Sequence, residues 1–403
     1  MTHTASGDDR FSQFDDYLTD SSNVVALRLS QRLEPVDPSG IIYPPTYADI
    51  GYNIDTLADG RKVALIDSVG SQANRMEPIF KSDSANVADW LVPQVKIVIR
   101  ETEPKVVVSL LDLAHRAADA VVQSTPELAK LINRAFLALQ KGDAGPLCTI
   151  APTSLVFGVW DSRGDTGEKR PRIVRSVIRA WDVEVLHSAA QFNSIWKSLT
   201  DDEQEELRKA AGSKSPEKLS KKGLADAPAV FRKTKIPQLR DGLPNPEARV
   251  LGGVLVKGEV RRDVTVNLLA LRQLRGVDDE RTREIRRYLL GLSLLAATYE
   301  MDLFLREGCL LRYHDESDQW FEIPRRGAPR EASLPAFSVI EEYANRVAVP
   351  FRQQWPRAFS TQQDDQKEHQ EPSQDGATPR FEYKFELKQA KELLKKKTAE
   401  DAE

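Results

Sequence analysis

The sequence predicts one large domain of the α+β class, in which strands and helices are interspersed without a regular alternation. The chain has 403 residues, of which 40% are apolar, and this is enough for a substantial core. Strand-like and helix-like segments follow one another through residues 21–359, and the runs between them are uneven. Uneven spacing favours α+β architecture over a regular doubly wound sheet.

The predicted strands are short runs of β-branched and aliphatic residues, either alternating with polar residues or continuously apolar. They lie at 24–29, 62–66, 95–99, 106–111, 154–160, 173–186, 249–256, 260–269 and 303–313. Gly252 and Gly253 fall inside one such run. They fit a bulge or a close backbone approach better than a dinucleotide-binding turn.

The predicted helices lie at 72–80, 112–123, 127–140, 201–211 and 279–299. The last has the clearest amphipathic pattern, with Ile285 and Leu289 on its apolar face. Asp278 or Asp279 is suited to cap its start.

The composition divides the chain into a central domain and two flanking segments. Residues 1–20 are polar and predict a flexible arm, and residues 360–403 predict a charged tail that is disordered or partly helical. The domain then covers residues 21–359. Two charged stretches, about 161–172 and 200–247, predict insertions that project from it.

Charge and cysteine content limit the function classes. The net charge is −4, so any nucleic-acid binding must come from a local basic strip rather than from the overall field. Cys148 and Cys309 are too few for a disulfide framework or a zinc motif. No signal peptide is evident, and the apolar stretch 289–297 is too short to span a bilayer. We therefore expect a cytoplasmic protein that does not contact a membrane.

The sequence contains few features typical of enzymes. The sequence has no GxxxxGK[ST], GxSxG or HExxH pattern, and we expect no cofactor and no metal. His115 is the most interesting histidine, because on a helix it would share a face with Asp112 and Asp119. A metal or acid–base cluster is one interpretation of that face. An Asp helix cap with ordinary polar contacts is the other, and the lack of a second His/Cys cluster favours it.

The segment from Asp67 to Glu77 is the first of three groups that predict anion binding. Here a strand enters a small polar turn and then a helix, so free backbone N–H groups and the helix dipole favour negative charge. A simple cap, with Ser71 and Asn74 as a weak capping box, explains the pattern equally well. If the segment holds phosphate, the polar residues expected to do so are Ser68, Ser71, Gln72, Asn74 and Arg75.

The second group is a row of cations without carboxylates between positions 169 and 179. Such self-repelling charges indicate an anionic partner, although most charge runs are simply solvated surface. The residues are Arg163, Lys169, Arg172, Arg175 and Arg179, with Arg170 between them. A third group, either phosphate clamp or solubilising surface, comprises Arg261 and Arg262 with Lys257 and the lysines and arginines of 214–235.

Several long motifs resemble a known family. They are YPPTY at 43–47, GYN at 51–53, IDSVGSQANRME at 66–77, HRAAD at 115–119, APTSLVFGVWDSR at 151–163, PRIVRS at 171–176, Gly252-Gly253, the helix at 287–295 and REGC at 306–309. Together they closely resemble the backbone subunit of type I-U (I-G) CRISPR surveillance complexes, a branch of the repeat-associated mysterious protein (RAMP) superfamily. The resemblance covers nearly all of residues 30–315.

This resemblance implies a modified ferredoxin-like (RRM-like) palm with large finger and thumb insertions. It implies a non-catalytic subunit that stacks in several copies along a guide RNA (crRNA), which then pairs with target DNA. The other implied partners are a large effector subunit and a subunit that binds or processes the guide end. Related branches touch RNA phosphates with a Ser-Gln-x-x-Lys-Arg motif, to which Ser71-Gln72-Ala73-Asn74-Arg75 corresponds, with Asn74 in place of lysine. His115 and Arg116 join the expected RNA-binding residues through their shared motif.

An endoribonuclease that cuts a guide precursor or target RNA is the alternative function. Relatives in this superfamily cut RNA with a loop aspartate or a histidine. The candidates in this sequence are Asp67, Asp161 and His115.

Overall fold

The computed structural model describes residues 11–47, 50–81, 91–162, 166–188, 195–212, 250–314, 318–360 and 380–400, together with 218, 219, 222 and 224. Arg163 and nearly all of the predicted insertion beyond residue 212 lie outside the described residues. The predictions made for them stay predictions.

The strands are short except for those of the central sheet. In chain order they are β1 Val24–Pro35, β2 Ile41–Ile42, β3 Thr46–Tyr47, β4 Gly51–Tyr52, β5 Ile54–Thr56, β6 Lys62–Asp67, β7 Gln94–Arg100, β8 Val106–Ser109, β9 Val159–Trp160, β10 Lys169–Arg170, β11 Val174–Trp181, β12 Val183–Ser188, β13 Val250–Val256, β14 Val260–Asn267, β15 Phe304–Arg306, β16 Cys309–Tyr313, β17 Gln319–Pro324, β18 Arg330–Ala332 and β19 Arg380–Lys384.

Most helices cluster on one face of that sheet. They are α1 Ser12–Asp16, α2 Val69–Met76, α3 Ala120–Gln123, α4 Pro126–Gln140, α5 Gly145–Ile150, α6 Pro152–Val156, α7 Asp201–Ala211, α8 Leu268–Arg272, α9 Asp279–Thr298, α10 Phe337–Arg352, α11 Trp355–Ala358 and α12 Leu387–Glu400. Short 3-10 turns occupy Glu77–Phe80, Leu110–Asp112, Arg116–Ala118 and Ile195–Ser198.

The central sheet is antiparallel and holds the three longest strands, β1, β14 and β11, side by side. Its order is β15-β16-β1-β14-β11-β6-β5, and β17 and β18 extend it from the other half of β1. The sheet is curled enough that Arg306 on edge strand β15 donates to the Ile66 carbonyl oxygen on β6 at 2.8 Å. The predicted mixed α and β class is confirmed.

Alternation along the strands decides which face packs against the helices. In β14, residues 260, 262, 264 and 266 are buried and the residues between them are half-buried. Val264 and Val266 join Val174 of β11 and Leu289 of α9 in the main core. The opposite face of β11 therefore presents the exposed Arg175 and every second residue after it.

The helix predicted at 112–123 and the strand predicted at 154–160 are largely wrong, because only Ala120–Gln123 of the first is α-helix and only Val159–Trp160 of the second is strand. Arg116 has a positive φ of 54°, which breaks 112–123 into short turns, so His115 does not share a helix face with Asp112 and Asp119. The strand expected at 154–160 is instead α6 followed by β9, because Pro152 opens a helical turn after Ala151. The expected single strand 173–186 divides into β11 and β12 at Asp182, whose φ is 53°.

The flexible arm expected at 1–20 is wrong for residues 11–20, the part that is described. Phe11, Phe14, Tyr17 and Leu18 are all buried against the helical layer. The Phe14 ring is fully buried, and its centroid lies 4.5 Å from that of Tyr343 on α10. An apolar spacing of three to four residues thus makes this segment part of the core.

The tail expected at 360–403 contains the helix α12, in agreement with the predicted partly helical character, but also a strand, β19, that was not predicted. β19 pairs in parallel with β7, and β8 pairs with the other edge of β7. Tyr383 of β19 is buried, and the ring of Phe381 stacks on Phe359 with centroids 3.9 Å apart. This strand therefore closes a second, three-stranded sheet that the polar composition of the tail conceals. Residues 361–379 lie outside the described part.

Candidate nucleic-acid interface

The turn between β6 and α2 is the first predicted anion-binding group. Ser68 is the N-cap of α2, and its hydroxyl accepts a hydrogen bond from the Ser71 N–H at 3.2 Å. The helix therefore starts at Val69, three residues before the prediction, and Ser71 is not its cap. Ser71 is half-buried and Asn74 is exposed on the outer face of this helix.

Gln72 points inward from the same helix and is fully buried. Its amide nitrogen donates to Asp67 Oδ2 at 2.7 Å, and its amide oxygen accepts from the Ser176 hydroxyl of β11, also at 2.7 Å. The prediction that Gln72 binds RNA is wrong for this arrangement, because its side chain is used to fasten α2 to the sheet.

Arg75 is largely committed to the protein as well. Its Nε donates to Asp67 Oδ2 at 3.2 Å, and its Nη2 donates to the Leu305 carbonyl oxygen at 2.8 Å. Arg306 Nη2 lies 3.6 Å from the other oxygen of Asp67. The Arg75 side chain keeps 32% of its surface exposed.

Arg262 of the third group is not on the surface. Its side chain is fully buried, donates through Nη1 to the Ala297 carbonyl oxygen at 3.1 Å, and also donates to the amide oxygens of Gln31 and Gln72. Burial lowers the pKa of Arg262 below its ordinary value. The predicted phosphate contact is wrong, because position 262 falls on the core-facing side of β14.

Arg261 faces the other side of β14, but carboxylates neutralise it. It lies 2.7 Å from Glu259 and 3.1 Å from Asp263, and its guanidinium covers the Trp181 ring at 4.9 Å. Lys257 similarly pairs with Glu184 at 2.6 Å. Arg261 and Lys257 therefore carry little uncompensated positive charge.

Arg116 is buried beside the outer face of α2 and pairs with Glu77. Arg116 Nε lies 2.6 Å from Glu77 Oε2. Burial raises the pKa of Glu77 to about 7, although Arg116 and a hydrogen bond from Thr153 lower it. Arg116 Nη2 also donates to Asn74 Oδ1 at 3.4 Å. Its expected role in binding RNA by direct contact is wrong, because its side chain is only 5% exposed.

Arg172 and Arg175 differ from the arginines above because both are exposed. The structure shows no ion pair for either residue across the described ranges. Partial burial and the nearby charges of Arg116 and Arg175 lower the pKa of Arg172 below its ordinary value. Arg172 lies over Gly158, where φ is +83° and an added Cβ would stand 2.7 Å from Arg172 Cγ. The segments around Gly158 and Arg172 therefore pack closely, and Arg172 lies near enough to Arg116 for the two charges to interact.

Arg179 and Lys169 flank this pair. Arg179 is half-buried on the face of β11 that also holds Arg175, opposite Arg261 in register. Lys169 is exposed on β10, and its Nζ lies 5.0 Å from the centre of the Trp160 ring. Glu77 ends the first predicted group and Trp160 directly precedes the second, but neither was among the residues expected to bind RNA. Trp160 stood inside a quoted motif, but its exposure depends on the hairpin that β9 and β10 form.

The residues proposed for cleavage occupy unequal environments. Asp67 and Asp161 are both buried, and Asp161 Oδ2 accepts from the Thr166 backbone N–H at 3.3 Å. His115 is exposed, and its backbone N–H donates to Asp119 Oδ2 at 3.2 Å. Across the described ranges, no three His, Cys, Asp or Glu side chains are grouped so that they could hold a metal ion.

The first two predicted groups share one neighbourhood. The charges of Arg116 and Arg175 both act on Arg172, and Arg116 donates a hydrogen bond to Asn74 on α2, next to Arg75. We call the exposed members of this neighbourhood, Asn74, Arg172 and Arg175, the cationic patch. Arrangements of unpaired guanidiniums on a surface suit polyanions such as nucleic-acid backbones.

A family model matches part of the chain. None of the helices in the described ranges is long and apolar enough to cross a membrane. No curated protein matches the chain. Residues 27–185, which include α2, all of β11 and the cationic patch, match the family model of CRISPR-associated protein GSU0053 (Cas_GSU0053), and this match marks a CRISPR-associated protein.

Proposed function

We propose that this chain is a non-catalytic, guide-RNA-binding backbone subunit of a type I-U (I-G) CRISPR interference complex. Several copies stack along the guide RNA and present it to target DNA, which is recognised by base pairing. The complex includes a large effector subunit and a subunit at the guide end, and it operates in the cytoplasm. The motifs quoted above and the family match over 27–185 support this assignment.

The cationic patch is the observation that favours RNA as the ligand. Arg172 and Arg175 are exposed and lack ion pairs in the described ranges, whereas Arg75, Arg116 and Arg261 all have carboxylate partners. Uncompensated arginines in a chain of net charge −4 require a reason, since they repel each other. A phosphate backbone supplies the missing negative charge.

The strand order supports a ferredoxin-like palm. Four neighbouring strands run β17-β1-β14-β11. If these are the fourth, first, third and second strands of a βαββαβ unit, they have the 4-1-3-2 order of that fold. α2 and α9 then serve as its helices: Gln72 of α2 contacts β11, and Arg262 of β14 contacts the end of α9.

The proposal has no cleavage step. Asp67 is engaged by Gln72 and Arg75, and Asp161 by Thr166, so neither carboxylate is free to activate a ribose hydroxyl in this arrangement. The decisive measurement incubates purified protein with guide and complementary RNA, with and without Mg²⁺. Cleavage fragments at regular spacing would favour the endoribonuclease instead.

Salt-dependent filter binding to single-stranded RNA tests the proposed ligand. The slope of log affinity against log salt falls by about 0.7 for each phosphate neutralised on a single strand. The double variant Arg172→Ala/Arg175→Ala should bind more weakly and have a slope smaller in magnitude by about 1.4. The control is Arg61→Ala, which removes an exposed arginine paired with Asp59.

Two outcomes would contradict the proposal. One is wild-type protein that fails to bind RNA or binds without salt dependence. The other is a double variant whose affinity and slope equal those of Arg61→Ala. Stacking in several copies is checked separately by electron microscopy of protein mixed with guide RNA. Single isolated particles on a long guide would argue against a backbone role.

A further inference from the structure

Trp160 is exposed to an unusual degree for its size. It keeps 58% of its surface in solvent, whereas Trp320 and Trp355 are buried and Trp181 and Trp196 are at most half-buried. An indole is a large apolar group whose burial is favourable, so its exposure at a fixed position requires an explanation. The adjacent residue Val159 is buried and anchors the strand that carries it.

The hairpin that presents Trp160 is braced at its base. The Asp161 N–H donates to the Glu168 carbonyl oxygen at 2.8 Å, and the Arg170 Nε lies 2.7 Å from a Glu168 carboxylate oxygen. Arg170 Nη2 also donates to the Leu139 carbonyl oxygen of α4 at 3.3 Å. A ring held on such a base loses little further freedom when it meets a ligand.

A positive charge lies against the ring, while the Glu168 carboxylate in the same hairpin is paired with Arg170. Lys169, directly opposite Trp160 in the hairpin, places its ammonium 5.0 Å from the ring centre. Only one residue separates β10 from Arg172, and Arg172 lies against Gly158, two residues before Trp160. The exposed indole therefore borders the cationic patch. An aromatic surface beside unpaired cations is the combination that holds single-stranded nucleic acid, with bases on the ring and phosphates on the cations.

We infer that Trp160 is a stacking platform for a base of single-stranded RNA whose phosphates contact Arg172 and Arg175. This inference rests on the proposed function and adds a specific contact to it. The positive surroundings favour RNA over the competing occupant, an apolar surface of a second copy of this chain.

The experiment compares wild-type protein with Trp160→Ala, Trp160→Leu and Trp160→Phe in filter-binding titrations. Two probes are used: an oligoadenylate, and a ribose-phosphate chain of the same length that lacks bases. Loss of one stacked base weakens binding by roughly 5- to 150-fold. We expect Trp160→Ala and Trp160→Leu to show this loss on oligoadenylate only, and Trp160→Phe to retain most of the affinity.

Each other outcome overturns the inference in a recognisable way. If Trp160→Ala binds oligoadenylate as the wild type does, Trp160 does not stack on a base, and the proposed function is unaffected. Equal losses on both probes would mean that Trp160 supports the phosphate contacts rather than a base. Normal binding of one copy with defective assembly, measured by sedimentation, would assign the ring to a contact between copies. Absence of wild-type binding to either probe would refute the proposed function itself.

Discussion

Replacing Glu77 by glutamine is expected to remove a pH dependence from the stability of the folded protein. Glu77 is fully buried, and its pKa rises from 4.5 to about 7 because burial disfavours the charged carboxylate. Arg116, 2.6 Å away, and the Thr153 hydroxyl lower that pKa, while the charge of Asp112 raises it further. Burial therefore outweighs the ion pair.

The direction of the effect follows from the two pKa values. Below about pH 4.5, Glu77 is protonated in both states, and its contribution to stability is complete. As the pH rises towards 7, the unfolded chain releases the proton while the folded protein retains it, so the free energy of unfolding falls. Above pH 7 both states are ionised and the fall ends. The difference between the two pKa values corresponds to about 3 kcal/mol in total.

Urea unfolding from about pH 5 to about pH 8, monitored by tryptophan fluorescence, measures this effect. The wild-type protein should lose more stability over this range than Glu77→Gln, whose side chain is neutral throughout. Glu101→Gln is the matched control, since Glu101 is exposed and Lys384 lowers its pKa; it should keep the wild-type dependence. Parallel curves for wild type and Glu77→Gln would mean that Arg116 keeps Glu77 ionised, and the reasoning would be refuted.

Two further predictions test which residues belong to the core. Phe14→Ala should lower the free energy of unfolding by about 3–5 kcal/mol, because a fully buried ring against Tyr343 is lost; Phe304→Ala, at a ring 57% exposed, should change it little. Arg262→Ala should cost about 3 kcal/mol or more, since three buried neutral acceptors lose their donor at about 1–3 kcal/mol each, whereas Arg261→Ala should cost about 1 kcal/mol or less. Equal urea midpoints within either pair would contradict the corresponding assignment.

Segments with long, regular patterns were predictable from sequence. The helix expected at 201–211 is Asp201–Ala211, and that expected at 279–299 is Asp279–Thr298. Both helices have a good N-cap and are long enough for their residue pattern to be clear. In the first helix, Thr200 and Glu203 form a complete capping box. The strand at 260–269 was likewise found, because alternation over eight residues is a strong local signal.

Segments whose conformation depends on distant contacts were not predictable. The apolar run 154–160 fits a strand by composition, but Ser154 accepts a hydrogen bond from the Ala117 N–H inside a helical layer. β19 contains alternating aromatic residues in a polar tail, and only its pairing with β7 makes it a strand. In both places a partner far along the chain decides the outcome, and tertiary packing overrides local preference.

The candidate site shows why counting basic residues misleads. Arg175 and Arg262 look equivalent in sequence, yet one is exposed and the other lies in the core. Under the proposed function, the arginines expected to contact phosphate are exposed ones without a neighbouring carboxylate, and both properties depend on folding. Arg75 and Arg261 each have acidic partners, so carboxylates of the same chain neutralise their charge. An overall acidic protein can therefore hold a polyanion if a few of its cations stay uncompensated and adjacent, as Arg172 and Arg175 do in the described structure.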